Sequence, residues 1–395
     1  MLRGFGRFLA TALALAVLSA PAAAGPALLF DPATSAVLYS EDVDQVWHPA
    51  SLTKLMTAYL SFKALKEGRL KLDQELTVQE SAFKMPPSKL GLKVGEKISV
   101  DLALKAMVVK SANDMAVSMA LAMGGSEEGF AEMMNAEAAR LGMKKTHYAN
   151  ASGLPNDAQV TSARDLATLT QAIIKDYPDQ AYLFAMASVK VGKKDVETHN
   201  TLLKTYDGAD GMKTGFICDS GYNIVASATR DGRRLVAVVL GEQSSASRNV
   251  RAAAMLDFGF QNYLWRTMFN EETVANVQGA PTDTATVAKM RDQVSSCVAH
   301  DAKKIKARGK RKGGTAKADP VPPEPGATDG TDEQAAAKTD AGAATAAKPA
   351  DAKAASAKAA GAKPVDATKP ATKPAVTVKK APKLRPAATG KTAAN

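Results

Sequence analysis

A serine placed three residues before a lysine brings a hydroxyl and an amine onto one face of a helix, because positions i and i+3 are neighbours there. The 395-residue chain does this in Pro49-Ala50-Ser51-Leu52-Thr53-Lys54 and again in Ser81-Ala82-Phe83-Lys84. A serine hydroxyl is a poor nucleophile at neutral pH, and a lysine desolvated by its neighbours can lose its proton and activate it as a base. Such a pair is a counterpart of the Ser-His-Asp arrangement. Two fixed residues of common types also recur by chance, so neither pair decides alone. Two further clusters follow: Ser111-Ala112-Asn113 and Lys213-Thr214-Gly215. Each has a plain alternative. Ser111 and Asn113 could simply cap a helix, Lys213-Thr214-Gly215 could be a solvated strand edge with a turn glycine, and Ser247-Arg248-Asn249 repeats the pattern of the second cluster. The histidines, His48, His147, His199 and His300, have no partner at triad or ligand spacing and read as structural, with His199 the one nearest a cleft edge. No metal-site spacing is present, and no metal or cofactor is expected.

The elements that must position these clusters can be read from periodicity. Pro49 suits a first helical position, and Leu52, Leu55, Met56, Tyr59 and Leu60 recur at helical spacing, which predicts a helix over about 50–65. Residues 27–30 and 36–39 flank a turn-rich spacer and read as an antiparallel hairpin. Helical spacing resumes over 100–109, stops in the polar stretch 110–114, and restarts over 115–123 and 128–141, giving a helical lobe with a loop cut into it. Another helix runs from near Asp165 to about Lys175, capped by Thr161-Ser162. Past Gly208 two strands, 222–228 and 235–240, flank a turn whose Asp231-Gly232 is a strong hairpin signal, and a last helix covers about 247–258. Strands from both ends of the chain with helices between them imply an α/β (α+β) fold: an antiparallel sheet backed by helices and carrying a helical lobe.

The N-terminus places Arg3 and Arg7 before an apolar run over 9–18 and Ala22-Ala23-Ala24 before Gly25, the three regions of a secretory signal peptide covering 1–24. No later stretch approaches the roughly 20 apolar residues that cross a bilayer. From 301 to 395 there is no Phe, Tyr or Trp, and Ala, Lys, Pro, Thr and Asp dominate, so this tail is expected to be disordered. It holds 20 Lys and Arg against 9 Asp and Glu, a net charge of +11 that equals the charge of the whole chain. Residues 25–300 are left at about −2, so the basic balance describes a tail and not a nucleic-acid-binding domain. The folded unit is assigned to 25–275, with a linker over 276–300. Cys218 and Cys297 stand equally well as a disulfide or as two separate thiols.

The three clusters, in this order and context, resemble the active-site signature of penicillin-binding proteins and class A β-lactamases. The longer stretches Pro49-Ala50-Ser51-Leu52-Thr53-Lys54-Leu55-Met56-Thr57-Ala58, Lys110-Ser111-Ala112-Asn113-Asp114, Asn150-Ala151-Ser152-Gly153-Leu154 and Asp210-Gly211-Met212-Lys213-Thr214-Gly215-Phe216 are similar to the serine-type D-alanyl-D-alanine carboxypeptidases. The likeness spans 27 to about 262 and makes Ser81 a decoy, since it lacks partner clusters. It implies a β-lactamase/transpeptidase-like fold and an acyl-enzyme on Ser51 formed from peptidoglycan pentapeptide. It further implies Lys54 as base, Ser111 as proton relay, Asn113 holding the substrate backbone, and Lys213 and Thr214 bounding the cleft. Gly215 would leave room for substrate, and the backbone N–H groups of Ser51 and Phe216 would form the oxyanion hole. β-Lactam antibiotics are the inhibitors it implies.

A carboxypeptidase must bind a free carboxylate, which suits the planar fork of arginine. Arg248 stands where this family places such a residue, although Arg251, one turn on, competes for the role. The small β-domain and amphipathic C-terminal helix of many relatives find no match here, and the tail reads as a basic tether to an anionic envelope surface or as a solvated spacer. A β-lactamase would require a Glu-x-x-x-Asn loop after the second cluster, and none is found before the third; a non-catalytic wall-binding protein would not need every cluster member. The signal peptide implies a periplasmic or cell-envelope location with no membrane-spanning segment in the mature chain.

Overall fold

A computed structural model describes residues 25–279, 287 and 290–301; the expected signal peptide and nearly all of the expected tail lie outside them. In chain order, β1 (Ala27–Phe30) and β2 (Val37–Glu41) form the first hairpin. A 3₁₀ turn at Ala50–Thr53 runs into α1 (Lys54–Lys66), followed by β3 (Glu75–Thr77), α2 (Glu80–Phe83) and β4 (Lys97–Ser99). The helical lobe comprises α3 (Val100–Val109), α4 (Asn113–Gly124) and α5 (Glu127–Leu141), and α6 (Ala163–Asp176) follows. A second 3₁₀ stretch, Pro178–Ala185, leads to the hairpin of β5 (Ser188–Val191) and β6 (Lys194–Glu197) and to the short α7 (Leu202–Thr205). β7 (Ala209–Ile217), β8 (Gly221–Arg230), β9 (Arg233–Glu242) and α8 (Ser245–Phe269) complete the order.

The main sheet has the order β2-β1-β9-β8-β7, and its pairings are antiparallel. Two-residue alternation sorts its side chains. Leu28, Phe30, Val225, Val236 and Val238 enter the large core shared with α1, α3, α4 and α6, while Leu29, Ile224, Ala237 and Val239 pack with Met255 and Leu256 of α8. The sheet is therefore sandwiched, with the helical lobe on one face and α8 on the other. The β8–β9 turn carries Asp231 at φ 51° and Gly232 at φ 76°, the two left-handed positions that a type I′ hairpin needs. α6 begins at the expected cap, with Ser162 Oγ accepting from the Asp165 N–H at 3.2 Å.

Several elements depart from the sequence reading. The nucleophile segment starts as a 3₁₀ turn, and Lys54 is the first residue of α1. α4 begins at Asn113, two residues before the expected restart, so Asn113 belongs to a helix rather than to a loop. Past Gly208 there are three strands instead of two: β7 is buried along almost its whole length, which erases alternation, and its two glycines disguise it further. α8 runs eleven residues beyond 258 because Leu264, Trp265, Met268 and Phe269 are exposed and break the expected apolar stripe.

Cys218 and Cys297 are joined in a disulfide across 79 residues, which settles the alternative left open above. Residues 290–300, within the stretch read as a linker, and Asp301, read as the start of the tail, are packed onto the domain, with Met290, Val294 and Cys297 buried. Among the described residues no helix is long and apolar enough to cross a membrane.

Candidate active site

Ser51 sits on the 3₁₀ turn directly behind the left-handed Ala50, at φ 47°. A non-glycine residue there is strained, and the surroundings hold it. The Asn223 side-chain amide donates to the carbonyls of His48 at 3.1 Å and Pro49 at 3.4 Å, tying the approach to β8. His48 itself is buried, with Nδ1 2.9 Å from the Gln159 carbonyl, a structural place for that ring.

Lys54 is 1 % exposed, and its Nζ has three partners: Ser51 Oγ at 3.1 Å, Asn113 Oδ1 at 2.8 Å and the Ser152 carbonyl at 2.6 Å. Burial pushes its pKa well below that of an ordinary lysine, the nearby Lys213 charge adds to the effect, and Asp114 opposes it. A neutral amine has two N–H groups and one lone pair. With acceptors at Asn113 and Ser152 taking the two N–H groups, the lone pair is left facing Ser51 Oγ. That is the geometry of a base beside its nucleophile. Ser81 and Lys84 contrast sharply: Lys84 is exposed and paired with Glu80 at 3.0 Å, so nothing desolvates it.

Ser111 lies between α3 and α4 at φ 59°, buried, and its Oγ has no hydrogen-bond partner among the described residues. A buried hydroxyl without a protein partner is available to bond to water or to a ligand group. Asn113, expected to hold the substrate backbone, has both of its side-chain polar atoms on protein partners. Its Oδ1 accepts from Lys54 and its Nδ2 donates to the Pro86 carbonyl at 3.0 Å, so the amide is braced within the protein and orients the lysine.

Lys213, Thr214, Gly215 and Phe216 lie on β7, the edge strand of the sheet, where alternate backbone groups face outward. Lys213 and Thr214 are buried, and Lys213 Nζ donates to the Thr214 carbonyl at 3.0 Å. Gly215 has a packing reason as well. A Cβ added there would stand 3.0 Å from both the Pro49 carbonyl oxygen and the Ser51 nitrogen, so glycine allows β7 to press against the nucleophile turn. Phe216 stacks on Tyr222 with ring centroids 4.2 Å apart, and the Arg248 guanidinium stands 6.0 Å from that same Tyr222 ring. Arg248 is 1 % exposed on the first turn of α8, with Nε donating to Asn249 Oδ1 at 3.1 Å. Arg251 is engaged elsewhere, bridging Glu41 at 2.9 Å and Glu242 at 3.2 Å.

Two contributors had no role in the sequence reading. Asp114 accepts from the Leu90, Gly91 and Met115 N–H groups and places a negative charge near Lys54. The Asn150-Ala151-Ser152-Gly153 loop presents the Ser152 carbonyl to Lys54 and the Ala151 carbonyl to Thr57 Oγ1 at 2.7 Å. Its Gly153, at φ 87°, lies so close to Ala50 that any Cβ would overlap the Ala50 carbonyl. The motif was visible in sequence, but carbonyl groups carry no residue-type signal.

The chain is similar to known proteins of one family. A family model described as D-alanyl-D-alanine carboxypeptidase matches residues 14–244. A D-alanyl-D-alanine carboxypeptidase of Bacillus subtilis is 34% identical over 262 residues, covering 64% of this chain and 66% of that protein. One from Escherichia coli is 37% identical over 248 residues, covering 61% and 64%. The chain thus spans just under two thirds of the length of these curated relatives. Among solved structures, penicillin binding protein 6B from Escherichia coli is similar with a TM-score of 0.58 and 35% identity, covering 60% of this chain and 77% of that one. Penicillin-Binding Protein D2 from Listeria monocytogenes, in an ampicillin-bound form, gives a TM-score of 0.56 and 31% identity, covering 60% and 97%.

Proposed function

The chain belongs to the D-alanyl-D-alanine carboxypeptidase family, and from that premise we propose that it removes the terminal D-alanine from peptidoglycan stem peptides through an acyl-enzyme on Ser51. The carrying observation is the buried Lys54 amine, held by Asn113 and the Ser152 carbonyl and 3.1 Å from Ser51 Oγ. In this reading Lys54 takes the Ser51 proton as Oγ attacks the carbonyl of the penultimate D-alanine. The Ser51 and Phe216 N–H groups stabilise the resulting oxyanion, an effect worth about 3–4 kcal/mol per donor. The C–N bond then breaks, and the leaving amine collects a proton passed through Ser111, whose hydroxyl is otherwise without a partner among the described residues. Water hydrolyses the ester and returns Ser51. Lys213 and Thr214 line the substrate along β7, and Arg248 pairs with the terminal carboxylate.

β-Lactams are proposed as inhibitors by acylating the same hydroxyl; the ampicillin-bound Listeria relative supports this. Residues 1–24 are proposed as a signal peptide delivering the enzyme to the periplasm or cell envelope. Purified protein incubated with a D-Ala-D-Ala peptide and, separately, with penicillin tests the reading. Free D-alanine and a long-lived penicilloyl adduct are expected, both lost in Ser51→Ala and both kept in Ser81→Ala. Rapid penicillin turnover would instead mark a β-lactamase, and an adduct persisting in Ser51→Ala would overturn the nucleophile.

A further inference from the structure

The β7–β8 turn, Ile217 to Gly221, is gripped from two sides. From inside, Trp47 Nε1 donates to the Ser220 carbonyl at 3.0 Å, and Trp47 lies four residues before Ser51. From outside, residues 290–301 clasp the same five residues. Cys297 is bonded to Cys218, and the Met290 N–H donates to the Asp219 carbonyl at 2.9 Å. Arg291 forks onto the Asp219 carboxylate at 2.9 and 3.2 Å and also reaches Asp301 at 3.1 Å. Met290, Val294 and Cys297 are 3 % exposed or less, so the strap is seated as core and not laid on the surface. These contacts come from a stretch some fifty residues beyond the part matched by the family model, which ends at 244.

The turn lies at the end of β7 that carries Phe216. Cys218 is two residues from Phe216, and Gly215 presses on the Ser51 nitrogen. Because β7 is an edge strand, sheet pairing holds it on one side only, through Phe216↔Tyr222 and Ile217↔Gly221 at this end. Its other restraints at this end are the Trp47 hydrogen bond to Ser220 and the strap. We infer that residues 290–301 are a positioning strap for the acylation step: through Cys297 and Arg291 they fix the end of β7, and with it the Phe216 N–H, relative to Ser51. The inference rests on the proposed role of Phe216 as an oxyanion donor. It makes Cys297 and Arg291 positioning residues, since neither touches the reacting atoms.

Three variants test it in the full chain: Cys218→Ala/Cys297→Ala, Arg291→Ala and Arg291→Lys. Thermal melting sets an assay temperature at which each variant is folded. There, the rate constant for acylation by penicillin should fall about tenfold or more, the cost of a displaced oxyanion donor. The KM for a D-Ala-D-Ala peptide should stay within about twofold, the pH at which acylation switches on should not move because Lys54 is untouched, and Arg291→Lys should restore part of the rate. A lower melting temperature with acylation unchanged in the folded protein would overturn the inference and reduce the strap to a stabilising clamp. Should the double cysteine variant not fold, Arg291→Ala still decides. Absence of acylation in the wild-type protein would instead count against the proposed function, so the two failures are distinguishable.

Discussion

Lys54 Nζ stands 3.1 Å from Ser51 Oγ with its other two polar contacts taken up by Asn113 Oδ1 and the Ser152 carbonyl. The relationship matters because it fixes the direction in which the base faces, while burial favours its neutral form. Burial lowers the Lys54 pKa, and each neighbouring charge tunes it with a definite sign.

Acylation should therefore rise with pH as Lys54 loses its proton, beginning well below the range of a free lysine. Lys213 lowers the Lys54 pKa by repulsion, so Lys213→Ala should move the rising limb to higher pH. Asp114 raises it by attraction, so Asp114→Asn should move the limb to lower pH. The measurement is the pH profile of penicillin acylation under saturating conditions for the three proteins. Shifts in the same direction would show that charge at these positions does not tune the base.

Gly215→Ala should slow acylation by on the order of 100-fold, because a Cβ 3.0 Å from the Ser51 nitrogen forces β7 and the nucleophile turn apart. The melting temperature should drop only modestly, since the displacement is local. Single-turnover acylation kinetics check this, and a near-wild-type rate would mean that the turn relaxes without cost.

Arg248 and Arg251 sit one turn apart on α8 and should separate cleanly. Arg248→Ala should lose several tens-fold or more in kcat/KM on peptides with a free C-terminal carboxylate, corresponding to about 2–5 kcal/mol for an unpaired buried charge, and less on amidated peptides. Arg251→Ala removes the bridge to Glu41 and Glu242, so it should destabilise the fold by about 1–2 kcal/mol and leave that selectivity intact. Equal losses on both substrates in Arg248→Ala would move carboxylate binding to Lys213.

The parts of this molecule that were legible in the sequence are those written in residue types. Serine, lysine and asparagine at fixed spacing marked the site, and the helical spacing of apolar residues marked α3 to the residue. β7 was hidden because a strand buried on both faces loses its alternation. The support for Lys54 was hidden because the Ser152 carbonyl is backbone, and nothing at position 152 advertises it. Whether Cys218 and Cys297 pair stayed open between a disulfide and two thiols, because distance along the chain does not say whether two segments meet.

The tail, outside the described residues apart from Asp301, bears on where the enzyme works. Residues 25–300 carry about −2 and residues 301–395 carry +11, so long-range attraction to anionic lipids or acidic wall polymers must come from the tail. The form to compare with the full chain ends after Asp301, not before it, because Asp301 pairs with Arg291 and Cys297 is bonded to Cys218. That form should keep its kcat on soluble peptides and lose retention on isolated cell envelopes. At about 0.15 M salt the Debye length is roughly 8 Å, so retention through exposed lysines should be released as salt rises, whereas a docked folded module would resist. Co-sedimentation of both forms with envelopes across a salt series checks this. Equal binding by both would place the envelope contact on the catalytic domain, and no binding by either would leave the tail as a solvated spacer.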